Sequence, residues 1–265
     1  MSVQQLRIIG YSAANAYADL RAIYTWKTWT VGWLGRMLAQ VTFFSMLGRL
    51  VGGSNGTTYL VVGNALMTCV IESLSVVASS SWERAAGTLG LLAASGTRLT
   101  WVFVGRSLQW PVSGTGTSLV ALFALGPVFG LRWQPGQILP AVALVLLTAL
   151  TTYFVGLLLA ALVLNTSRVR NVVSNVAYLV MMAVCGVQAP VGYWPRWVRW
   201  FADTLPLTHL LAALRALVDG RGLAVVTAHA GIGLGVGLLW LAGAHWAFTA
   251  LLVRGRRAGT IEFSS

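Results

Sequence analysis

Glu72 is the first residue to account for, because it stands inside an unbroken apolar run, TTYLVVGNALMTCVIESLSVVASS. A carboxylate in lipid is costly unless it is paired or used. Arg36 and Arg106 lie in neighbouring apolar runs. At 1.5 Å per residue, Glu72 falls about 13 Å from the inner end of its run, and the arginines about 9–10 Å from the same membrane face. An ion pair that fixes helix register is one reading. A part in the substrate path or in proton coupling is the other.

Other chemistry is missing from the chain. There is no GxxxxGK[ST] phosphate loop, and Lys27 follows no glycine-rich turn. GxSxG, the frame of a serine nucleophile, is absent too. His209, His229 and His245 are too far apart in sequence to suggest a metal site, and Asp19, Asp203 and Asp219 form no paired-carboxylate motif. Cys69 and Cys185 lie in apolar runs without a CxxC, as buried structural thiols do. No catalytic residue, metal ligand or bound cofactor is therefore expected. The Asn55-Gly56-Thr57 sequon falls in a short turn and reads as a turn rather than a glycan site.

Stepping from these residues to what must hold them, composition is decisive. Hydrophobic residues make up 57% and charged residues 9% of the chain, against roughly a quarter charged in soluble domains. The surface must face lipid. A helix needs about 20 apolar residues to cross it, and about six runs qualify, at 30–50, 58–80, 100–128, 138–164, 171–190 and 222–253. Lipid leaves helices or closed barrels as the only spanning forms, and continuous runs such as ILPAVALVLLTALTTYFVGLLLAALVL lack the alternation of a barrel strand. The fold class is all-α integral membrane protein, one transmembrane domain over residues 1–265.

The net charge of +12 does not indicate nucleic acid, since the basic residues flank apolar runs and form no patch. They set topology instead. With the N-terminus inside, cytoplasmic segments hold Arg7, Arg21, Lys27, Arg84, Arg98, Arg168, Arg170, Arg254, Arg256 and Arg257. External segments hold fewer: Arg49, Arg132, Arg196, Arg199, Arg215 and Arg221. Both termini are expected in the cytoplasm. The N-terminal segment lacks the apolar core of a cleaved signal peptide.

Three further segments are distinctive. Residues 13–29 mix aromatic, apolar and charged positions, as an interfacial helix does. Residues 81–99 are too polar to span and too apolar for a free loop. Residues 191–221 combine aromatics, two prolines and a short amphipathic run, which predicts a partly immersed external hairpin broken at Pro206. Pro111 and Ser113–Gly116 should kink or unwind the third span, as a hinge or as a tolerated kink. Gly231, Gly233, Gly235 and Gly237 give overlapping GxxxG patterns in the last span, suited to packing within the subunit.

Two stretches also carry a resemblance. Trp82-Glu83-Arg84-Ala85-Ala86-Gly87-Thr88-Leu89 resembles the acidic, basic, Gly-Thr-Leu loop of type-2 ATP-binding-cassette exporter permeases, although Ala94-Ser95-Gly96 stands where that family usually has a proline. The stretch from Gln188 and Pro190 through Tyr193-Trp194-Pro195, Trp197 and Leu205-Pro206-Leu207-Thr208 to Ala213-Leu214-Arg215 resembles its external re-entrant segment. The resemblance implies a plasma (inner) membrane permease that pairs with a second permease, alike or homologous, and with cytoplasmic ATPases that bind ATP-Mg. The chain itself would not be an enzyme. It also implies a coupling loop with Glu83, Arg84, Gly87, Thr88, Leu89 and Leu92 docked on the ATPase, and an external gate with Trp194, Pro195, Trp197, Pro206 and Arg215. The plainer readings are a loop lying on headgroups and an immobile plug. Substrates of amphipathic character, such as drugs, antibiotics, peptides or lipid-like compounds, suit the aromatic, weakly charged spans. An ion-gradient-driven transporter, for which Glu72 is the only support, and a membrane-embedded enzyme or scaffold are the competing functions.

Single cysteines placed from 192 to 220, after replacement of Cys69 and Cys185, should react with an impermeant thiol reagent added outside. Reaction only from the cytoplasmic side would overturn the topology. Reaction unchanged by nucleotide state would favour a plug over a gate.

Overall fold

The first long helix, α1, covers Thr28–Leu74 and opens with a π-helical stretch, Thr28–Leu34. Its 47 residues would make a rod of about 70 Å, more than twice the roughly 30 Å hydrocarbon core. It does not run straight. Gly53 adopts φ 61 and ψ −145, a conformation open to glycine. Beyond it the chain doubles back: a Cβ added at Gly48 would lie 2.6 Å from the Gly56 carbonyl oxygen, although eight residues of straight helix would separate them by about 12 Å. The sequence reading placed runs at 30–50 and 58–80 with a turn between. The structure keeps helix up to and after a single reversing glycine. Thr57, the hydroxyl residue of the sequon whose acceptor would be Asn55, is buried and donates to the Gly53 carbonyl at 2.8 Å.

This computed structural model describes residues 7, 10–14, 17–18, 25–79, 104–163 and 169–258, without the side chains of 78, 79 and 252–258. After α1 come α2 (Val76–Ser79), α3 (Val104–Phe129), α4 (Pro135–Val163), α5 (Arg170–Val184), α6 (Arg196–Asp203), α7 (Pro206–Val218) and α8 (Leu223–Ala258). No strand occurs among the described residues. Four helices, α1, α3, α4 and α8, are long and apolar enough to cross a membrane, and the bent pair α6–α7 would make a fifth.

The second arm of α1 is the axis of the bundle. Every residue from Val61 to Val70 is buried, as a helix that is apolar all round must be. The first arm buries only a stripe, Met37, Val41, Ser45 and Gly48, and exposes Phe43, Met46 and Leu50. α3 and α4 pack on the second arm, and α8 packs along α4 and α7. Exposed Leu139, Leu239 and Trp246 give the outer faces the apolar surface that lipid requires.

Several expectations are corrected. The run 171–190 is helical only to Val184, about 22 Å, because a bend follows in which Gly186 takes φ 84. Ser113–Gly116 stay helical. The irregularities of α3 lie instead at Leu108, three residues before Pro111, and in the π-helical Ala121–Leu125, whose Leu122 carbonyl accepts from Trp133 Nε1 at 3.1 Å. Within the predicted interfacial segment, Ala13, Ala14, Tyr17 and Ala18 are helical, whereas Trp26 and Lys27 lead directly into α1. In α8, Gly233 and Gly237 face Leu210 and Thr151, while Gly231 and Gly235 meet nothing within 4 Å.

The doubling at Gly53 yields a paired test. Gly48→Ala drives a methyl group against backbone and should lower stability by about 1–3 kcal/mol. Gly52→Ala, with nothing within 4 Å, should be neutral or stabilising by up to about 1 kcal/mol. Thermal unfolding in detergent reads both, and equal effects would sink the fold-back.

Candidate functional site

α6 and α7 meet at 86°. The carbonyls released at the end of α6 have no helical partner and need others. Thr208 Oγ donates to Ala202 at 2.6 Å, His209 Nε2 to Asp203 at 2.9 Å, and Trp240 Nε1, from α8, to Thr204 at 2.7 Å. Pro206 does not end α6, which stops at Asp203. It opens α7, where its missing N–H is harmless. At the other end of α7, Gln137 Nε2 donates to the Leu217 carbonyl at 2.7 Å. Leu207, Leu210, Leu211 and Leu214 anchor α7 in the core.

Beside this leucine face α7 carries Arg215. Its guanidinium donates to the carbonyls of Gly186 at 2.8 Å and Tyr59 at 3.2 Å, with Val187 at 3.5 Å. It stacks 3.4 Å from the centre of the Tyr59 ring, a cation–π contact, and the Tyr59 hydroxyl donates to the same Gly186 carbonyl at 2.6 Å. One side chain thus ties together α1, the broken end of α5 and α7. Gly63 permits the approach, since a Cβ there would lie 2.6 Å from the Val187 oxygen. One residue further along each strand of this contact, Asn64 and Gln188 exchange amide hydrogen bonds at 3.0 and 3.4 Å.

Beside this clamp lies a cavity of about 660 Å³, whose wall includes Asn55, Tyr59, Pro190, His209, Arg215 and Arg221. Its volume is that of a small-molecule pocket. Of the predicted gate residues, the structure brings Pro206 and Arg215 into the α7 unit. Trp197 is 71% exposed, Pro195 is exposed just before α6, and Trp194 is partly buried. α6 turns Val198 and Ala202 inward and Trp197, Trp200 and Phe201 outward. Tyr59, Gly63 and Gly186 escaped the sequence reading, because carbonyl acceptors and close glycine contacts have no sequence signature.

Glu72 is fully buried between α1 and α3. Thr117 Oγ donates to its Oε1, and Ser113 and Trp33 are its other polar neighbours. Oε2 has no partner within hydrogen-bonding geometry among the described residues. The ion pair that helix counting allowed is not formed with either arginine. Arg36 is exposed on the first arm, and Arg106 lies two helical turns, about 10 Å, before Ser113. Glu83, Arg84, Gly87, Thr88, Leu89 and Leu92 lie outside the described residues. Among the described residues, no group of His, Cys, Asp and Glu is arranged to hold a metal ion.

Compared with known families, residues 19–218 match the sequence model of the ABC-2 type transporter. No curated protein matches the chain.

The clamp is directly testable. Arg215→Gln removes the charged donor shared by Gly186 and Tyr59, at about 1.5–3 kcal/mol for such a bond. Arg215→Lys should recover little, since an ammonium lacks the planar fork. Tyr59→Phe, which keeps the ring under the guanidinium, should cost only about 1 kcal/mol. Thermal unfolding of the three variants should give that order, and full rescue by lysine would refute the fork geometry.

Proposed function

The chain belongs to the ABC-2 type transporter family, so it is a transport permease, and on that premise we propose that it is the membrane subunit of an ATP-driven exporter. The family match over residues 19–218 carries this reading. In it, two such permeases, identical or homologous, assemble in the plasma membrane with cytoplasmic ATPases that bind ATP-Mg. The loop 81–99 docks on the ATPase, with Glu83 and Arg84 supplying directional ionic contacts and Leu89 and Leu92 an apolar face.

The same reading assigns six crossings, with both termini in the cytoplasm. The reversal at Gly53 supports two crossings within α1, α3, α4 and α8 are long enough for three more, and the reading assigns the sixth to α5 together with the bend that follows it. Residues 191–221 then form an external re-entrant gate. The exposed aromatic face of α6 suits the outer interface, and α7, at about 20 Å, is too short to cross. Closure rests on the Arg215 clamp, and release requires α7 to part from α1 or from the end of α5. The substrate is an amphipathic compound, consistent with a cavity that sets Pro190 and Val191 beside Arg215 and Arg221.

The decisive experiment is co-purification with an ATPase from the native membrane, followed by Glu83→Ala/Leu89→Ala. The double variant should insert and fold as the unchanged chain does, yet lose ATPase binding and export. Unchanged binding and export would refute the coupling assignment.

A further inference from the structure

We propose that the seam between α1 and α3 binds a small cluster of ordered water centred on Glu72 Oε2. Six buried side-chain polar atoms lack a hydrogen-bond partner among the described residues, and four of them lie on the two helices of this seam: Glu72 Oε2 and Ser73 Oγ on α1, Gln109 Oε1 and Ser118 Oγ on α3. Buried polar atoms are nearly always satisfied, by protein or by ordered water. All four are oxygen atoms able to accept, so a donor is the shared need. Gln109, Ser113 and Thr117 follow one another at four-residue spacing along the face of α3 that meets Glu72, and Ser118 faces the Cys69 thiol.

The two serines sharpen the point. Other buried hydroxyls in these helices, such as Thr68, Thr115 and Thr148, donate to a carbonyl three or four residues back in their own helix. Ser73 and Ser118 do not. The Ser73 proton is free for a guest, while the Ser118 hydroxyl turns towards the Cys69 thiol. The guest must be small, because Gly114 brings α3 so close that an added Cβ would lie 3.0 Å from both the Cys69 oxygen and Glu72 Cβ. Water fits the need, since it donates twice and typically makes about three hydrogen bonds in such sites.

Hydroxyl radicals generated from bound water by a short X-ray pulse modify the side chains beside that water. The full chain in lipid nanodiscs supplies its own control, since Cys69 and Met67 are both fully buried, two residues apart on one helix. Cys69 should be oxidised rapidly and Met67 should not. Glu72→Leu should abolish the oxidation of Cys69, while Glu72→Gln, which retains an acceptor, should preserve it. Equal protection of Cys69 and Met67 in the unsubstituted chain would overturn the proposal, whatever the fate of the leucine variant. So would loss of the Cys69 signal when choline is exchanged for sodium, which would put a cation in the seam. The assay needs no ATPase and no transport, so its failure leaves the exporter reading untouched.

Discussion

A helix that stops inside a low-dielectric layer exposes carbonyls that lipid cannot satisfy. The part of this molecule around the end of α5 and the α6–α7 pair is organised around that constraint. α5 ends after Val184, and the Gly186 carbonyl beyond it accepts from both Arg215 and Tyr59. α6 ends at Asp203, and its freed carbonyls are taken by Thr208, His209 and Trp240. A half-buried cation bound directly to neutral carbonyls is an unusual solution, and the carboxylate of Asp219, one turn further on, acts on it electrostatically.

The seam around Glu72 meets the same constraint differently. Among the described residues no cation is paired with Glu72, and hydroxyls on α3 flank it instead. α4 and α8, by contrast, meet through small residues, with Gly237 set against Thr151. Close backbone approach replaces polar contact there. The bundle therefore holds one dry seam and one polar seam, and the polar one lies at the root of the segment between α2 and α3.

What the sequence made legible follows from the same physics. Lipid forces long apolar runs, so α3, α4 and α8 could be read from hydropathy alone. The aromatics before Pro206 and the leucines after it marked the break between α6 and α7, although the proline opens the second helix and does not end the first. The early end of α5 was illegible, since hydropathy does not register that Gly186 leaves the helical region. Arg215 stood out as a charge, but its partners did not, because carbonyls occur at every residue. Glu72 stood out as a carboxyl in an apolar run, but its hydrogen-bond partner did not: formal charge points to arginine, while the donor is the threonine of a facing helix.

The turn at Gly53 has a consequence for how the chain is made. Its two arms are joined without a linker and held by backbone contact between Gly48 and Gly56. Each arm supplies one side of that contact, so the close packing of the first is completed only once the second has been made. The pair is suited to enter the membrane as a single hairpin during translation, and the second arm, buried along its whole middle, then serves as the template on which later helices assemble.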